Sequence, residues 1–132
     1  MKEHIVIIED DTYMLEAMGG VLEGQGYQTT KLLQLSTLDE LMALGADCFI
    51  IDEKLPYVTG HIICMMLKSK PATKNVPVIL TSAYSQLENF ASLCKADNYL
   101  KKPFLNAQEL LGLVENTIKN KLNFLNNSVS FS

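Results

Sequence analysis

Five polar residues of this 132-residue chain stand where apolar runs stop, and their types together suit metal and phosphate chemistry. His4-Ile5-Val6-Ile7-Ile8 runs into Glu9, Asp10 and Asp11, and Cys48-Phe49-Ile50-Ile51 runs into Asp52, with Pro56 and Gly60 following. Val78-Ile79-Leu80 runs through Thr81 to Ser82, and Asn98-Tyr99-Leu100 runs to Lys101-Lys102-Pro103. Short apolar runs bounded by turn residues predict strands buried on both faces. Pro56 forbids the Asp52 strand from continuing. In an open parallel sheet, ligands bind outside the carboxyl ends of the strands. Glu9, Asp10 and Asp52 gathered on that rim would repel one another strongly. A hard divalent cation resolves the repulsion, and an oxygen-only donor set suits Mg²⁺. The Lys102 ammonium and the Ser82 hydroxyl would then neutralise and hydrogen-bond incoming phosphoryl oxygens. Asp52 would be the nucleophile, forming an acyl phosphate.

Each residue taken alone also has a plainer reading. Glu9, Asp10 and Asp11 favour a helix N-terminus, and Asp52 could cap a turn or helix. Ser82 reads equally as a turn hydroxyl and Tyr99 as core. His4 reads as a strand-edge residue, and neither His4 nor His61 has a ligand partner visible in the sequence.

The elements that must carry these residues alternate in type. Asp11 is the expected N-cap of a helix with Leu15, Met18 and Leu22 on one face, stopped by Gly24 and Gly26. Residues 27–33 form a β-prone, less apolar run suited to an outer strand. Ser36-Thr37-Leu38-Asp39 resembles a capping box for a short helix with Leu38, Leu41 and Met42 inward. A helix over residues 59–70 directs Ile62, Ile63, Met66 and Leu67 to the sheet. A fourth helix carries Leu87, Phe90, Ala91 and Cys94 on one face. The last carries Ala107, Leu110, Leu111, Val114 and Ile118 at helical spacing. Five strand–helix alternations imply an α/β fold, a parallel sheet with helices on both faces and right-handed crossovers. Residues 122–132 are uncharged and rich in Asn and Ser; they either fray or extend the last helix.

Composition narrows the function. Hydrophobic residues make up 48% and charged residues 20%, enough for one core without wholesale disorder. No apolar run is long enough to span a bilayer, and the amino terminus lacks a secretory signal, so a cytoplasmic protein is expected. Three widely spaced cysteines without a CxxC predict buried free thiols. The net charge of −4 and the absence of Arg argue against a nucleic-acid surface. Charge is polarised: residues 1–60 hold 11 acids and 3 lysines, residues 61–132 hold 4 acids and 8 lysines.

Over residues 3–120 the sequence resembles the receiver domain of bacterial two-component response regulators. IVIIEDD is similar to that family's first strand with its acidic pair, DEKLPYVTG to the phosphoacceptor loop, PVILTSA to the fourth strand with its switch hydroxyl, and YLKKPF to the fifth strand with its Lys-Pro. The resemblance implies a single doubly wound, flavodoxin-like sheet over residues 1–121. It implies Asp52 as phosphoacceptor, Lys102 and Ser82 as phosphate-binding groups, and Ser82 and Tyr99 as switch residues. Mg²⁺ would be held by Glu9, Asp10, Asp52 and the Lys54 carbonyl. The Lys102–Pro103 bond is expected to be cis. Lys54 and Tyr84 fall where the family sets the lifetime of the phosphoryl group, and Lys95 falls where it often has Gly. The implied function is a signalling switch rather than an enzyme. Its phosphodonor would be a sensor histidine kinase or a histidine phosphotransfer protein. It would act on a downstream protein target, with no nucleic acid or membrane contact, and a phosphorylation-dependent homodimer is compatible with the fold. The chain begins just before its first strand and shows no output module, as a free-standing regulator would. Two other readings compete. One is a pseudo-receiver that binds proteins and is never phosphorylated; the intact acids, hydroxyl and lysine speak against it. The other is a flavodoxin-like enzyme or flavin carrier, for which the sequence offers no phosphate loop after the first strand.

Overall fold

The computed structural model describes residues 2–104 and 106–130. Within them β1 (His4–Ile8), β2 (Gln28–Leu32), β3 (Cys48–Asp52), β4 (Val78–Ser82) and β5 (Asn98–Lys101) alternate with α1 (Thr12–Gly24), α2 (Leu38–Ala43), α3 (Gly60–Lys68), α4 (Leu87–Cys94) and α5 (Ala107–Ser130). The strands form one parallel sheet in the order β2-β1-β3-β4-β5. The less apolar β2 takes an edge, as its composition predicted.

Alternation along each strand divides the apolar residues between two faces. Ile5, Ile7, Ile50 and Ile79 pack against Leu15, Met18 and Leu22 of α1 and Leu110, Val114 and Ile118 of α5. Val6, Ile8, Phe49, Ile51 and Leu80 pack against Leu41 of α2, Ile63 and Leu67 of α3, and Leu87 and Ala91 of α4. Each such fully buried Ile or Leu contributes about 1.5–3 kcal/mol. The doubly wound arrangement expected from the alternation is the one observed.

Helix ends are set locally. Asp11 caps α1, its side chain accepting from Met14 N at 3.2 Å. At α2 the cap is one residue later than the Ser36 box predicts. Thr37 Oγ1 accepts from Glu40 N at 3.1 Å, and Glu40 turns back to Ser36 Oγ. Helix α3 is shorter than the 59–70 expectation. It buries Gly60, Ile63, Cys64 and Leu67, and leaves Ile62 39% exposed. Lys95 ends α4 in the left-handed region, with φ +61. The last helix continues without a break through residues 122–130. Asp97 ties the far end of the sheet to two helices. Its carboxylate meets Lys68 Nζ at 2.7 Å and Lys121 Nζ at 2.6 Å, and accepts from Val78 N at 2.8 Å.

Candidate functional site

The strand order reverses between β1 and β3, and the crevice at such a switch point is where doubly wound sheets bind ligands. The sequence places Glu9 and Asp10 directly after β1 and Asp52 at the end of β3. Glu9, Asp10 and Asp52 each offer a carboxylate oxygen within 4.8 Å of the others. Ser82 ends β4, and Lys102 follows β5, hydrogen-bonded through its backbone N to Ser82 O at 2.9 Å. The Lys102–Pro103 peptide is cis. Together Glu9, Asp10, Asp11, Asp52, Lys54, Ser82, Ala83, Tyr84 and Lys102 line one open pocket of about 270 Å³.

Lys102 balances the acids. Its ammonium bonds to Glu9 Oε1 and lies 3.3 Å from Asp52 Oδ1. Glu9 and Asp52 are buried and Asp10 is exposed. Burial pushes the Asp52 carboxyl up to about 7; Lys102 opposes this and the charge of Glu9 adds to it. Burial pulls the Lys102 ammonium down, and its bonds to Glu9 and Asp52 more than reverse that, leaving it raised. An oxygen-only trio that one lysine only partly neutralises fits a hard divalent cation by its donor chemistry.

Five predicted residues, Glu9, Asp10, Asp52, Ser82 and Lys102, therefore share one rim, with Lys54 and Tyr84 beside them. Ser82 rather than Thr81 faces the pocket; its Oγ accepts from Tyr84 N at 3.0 Å. Thr81 Oγ1 is buried within the sheet, with no hydrogen-bond partner among the described residues. Tyr99 lies outside the pocket, paired with Leu80 in the β4–β5 register, and its side chain is 40% exposed rather than core. Asp11 combines its capping role with a place in the pocket wall.

Both histidines are hydrogen-bonded within the fold. His4 Nε2 meets Thr30 Oγ1 at 2.7 Å. His61 Nδ1 meets Glu53 Oε2 at 2.6 Å, and His61 N donates to Glu53 Oε1 at 2.8 Å. Glu53 follows Asp52 directly and is 3% exposed, yet nothing in its sequence position marks it as buried.

The chain is similar to known proteins over most of its length. The chain is 30% identical over 118 residues to the phosphate regulon transcriptional regulatory protein PhoB of Rhizobium meliloti, covering 87% of this chain and 52% of that one. The chain thus spans about half the length of the curated relatives it matches. Among solved structures, the signal receiver domain of a signal transduction histidine kinase from Syntrophus aciditrophicus superposes with a TM-score of 0.80. The two are 27% identical, and the match covers 89% of this chain and 91% of that one. The BeF3-activated DrrB receiver domain superposes with a TM-score of 0.73 at 27% identity, covering 90% of this chain and 99% of that one. The family model of the response regulator receiver domain matches residues 5–115. The chain belongs to the response regulator receiver domain family.

Proposed function

We propose that this chain is a phosphorylatable switch of a two-component phosphorelay, with Asp52 as the phosphoacceptor. The observation that carries the reading is the placement of Asp52 beside Glu9, Asp10, Ser82 and Lys102 on one rim. Glu9, Asp10 and Asp52, with the Lys54 carbonyl, would hold Mg²⁺. When bound, it shields the charge on the phosphoryl oxygens. An Asp52 carboxylate oxygen attacks phosphorus as the donor's P–N bond breaks, and the departing imidazole keeps the nitrogen lone pair and takes up a proton. Lys102 exchanges part of its pairing with Asp52 for the phosphoryl oxygens, and Ser82 Oγ–H donates to another. Tyr99 then changes orientation, and the surface of α4, β5 and α5 changes its partner preference. The donor is a sensor histidine kinase or a histidine phosphotransfer protein, and the output is binding to a protein target or to a second copy of the chain. Nucleic acid is not contacted directly: Arg is absent and the net charge is −4. Among the described residues no helix is long and apolar enough to cross a membrane; the proposed location is the cytoplasm.

The direct test is labelling by phosphoramidate in the presence of Mg²⁺. Asp52→Asn is expected to abolish it. Label that persists in this variant would move the acceptor elsewhere and overturn the assignment.

A further inference from the structure

Glu53 is the residue after the phosphoacceptor, one past the end of β3, and it is buried outside the lining of the acidic pocket. A buried carboxylate there, one residue from a cluster of three acids, is costly unless it is fully hydrogen-bonded. Its carboxylate partners lie at the start of α3, while its backbone N–H donates to Thr81 O of β4 at 2.8 Å. Gly60 N donates to Glu53 O at 3.0 Å, His61 N donates to Glu53 Oε1 at 2.8 Å, and His61 Nδ1 meets Glu53 Oε2 at 2.6 Å. The short contact with a carboxylate means that Nδ1 carries the hydrogen. Thr59, at the N-cap of α3, makes no side-chain capping bond, so Glu53 supplies the acceptor that this helix end would otherwise lack.

The contact is tight on the backbone side as well. A Cβ at Gly60 would lie 2.3 Å from Asp52 O and 2.9 Å from Glu53 Cα. The first turn of α3 therefore rests on the peptide that joins the phosphoacceptor to Glu53. On its other side the His61 ring stacks on Phe90 of α4, with centroids 4.8 Å apart and planes 6° apart. One imidazole thus touches both the residue after Asp52 and the helix that follows the Ser82 strand.

We propose that Glu53 and His61 are positioning residues for phosphoryl transfer at Asp52: they hold the Asp52–Glu53 peptide against α3, and Phe90 ties that peptide to α4. This rests on the phosphoacceptor reading above. Phosphoryl transfer is sensitive to the aim of the attacking oxygen, and displacements near 1 Å cost large rate factors. The sheet holds this peptide on one side, through Glu53 N–H donating to Thr81 O at 2.8 Å, and the three bonds from α3 hold it on the other.

The test measures phosphoramidate labelling of the full chain at saturating Mg²⁺, well below the melting temperature of every variant. Glu53→Ala is expected to slow labelling about tenfold, and Glu53→Gln, whose amide oxygen still accepts from His61 N, to recover most of the rate. Phe90→Ala is expected to slow labelling less, and to add nothing in the Glu53→Ala background, because the three side chains act as one unit. A merely structural role would lower the melting temperature and leave these rates unchanged, which would overturn the proposal. So would Glu53→Gln labelling no faster than Glu53→Ala, or an additive effect of Phe90→Ala. Should Glu53→Ala not fold, His61→Phe keeps a ring on Phe90 while removing the side-chain bond to Glu53, and the same slowing is expected. A parent protein that does not label at all would overturn the phosphoacceptor reading itself, whereas a parent that labels no faster than Glu53→Ala overturns only the positioning role.

Discussion

Lys102 Nζ lies 3.3 Å from Asp52 Oδ1 and bonds at the same time to Glu9, so one ammonium serves two of the three acids at the rim. It occupies the electrostatic role that a metal would share. Lys102→Met removes this competitor for the carboxylates. Mg²⁺ affinity is expected to rise about threefold to tenfold, since losing a cation this close is worth about 1 kcal/mol or more. Phosphoramidate labelling is expected to slow by at least about tenfold, because the proposed donor to the phosphoryl oxygens is lost. Calorimetric titration and labelling rates on one preparation check both; tighter metal binding with unchanged labelling would remove Lys102 from the reaction.

Asp52 gives a pH signature. Burial, with the charge of Glu9 added and Lys102 opposing, raises its carboxyl from 3.8 to about 7. Between those values the folded chain binds a proton that the unfolded chain does not. Stability from this group therefore falls as pH rises from 3.8 to about 7. Without metal, Asp52→Asn is expected to gain on the order of 2 kcal/mol at pH 8 and little at pH 4, read by urea unfolding. An equal gain at both pH values would contradict the raised carboxyl.

Lys54 and Tyr84 flank the pocket mouth, with Lys54 exposed and Tyr84 44% exposed. On the proposed reading, their bulk would obstruct a water approaching in line with the acyl phosphate. Changing both to Ala is expected to shorten the phosphoryl lifetime about tenfold, followed as phosphate release after excess donor is removed. Unchanged or slower release counts against the obstruction.

Asp97 is a stability determinant far from the site chemistry. Burial raises its carboxyl, but Lys121, Lys68 and the Val78 N–H outweigh that and hold it below the ordinary range. Its contribution is present above the unfolded value of 3.8 and is lost as pH falls through the lowered folded value. Asp97→Ala leaves two partly buried lysines unpaired and is expected to cost about 2–4 kcal/mol near neutral pH. The loss should shrink toward low pH in denaturant titrations; a neutral-pH change within about 0.5 kcal/mol would deny the clamp.

The strands and the rim were legible because each buried strand is a short apolar run with a polar terminus, and parallel topology leaves those termini one place to meet. The buried face of α3 was not. Residues 62–67 are uninterrupted apolar or sulfur-bearing side chains, so periodicity cannot separate the inward Ile63 and Cys64 from the outward Ile62. The α2 cap shifted by one because Ser36 and Thr37 are chemically equivalent candidates. The Glu53–His61 bond joins residues eight apart across a loop, where Gly60 sits close on the Asp52 carbonyl and its N–H donates to Glu53 O. A carboxylate and an imidazole at that spacing carry no local periodic signal.

Cys48, Cys64 and Cys94 are all interior, and the chain has no tryptophan. The folded surface is therefore silent both to maleimide dyes and to indole fluorescence. A single cysteine introduced on the outer side of α4, for example by Leu93→Cys at a position 64% exposed, would carry a dye alone. It would report on that helix against no native background.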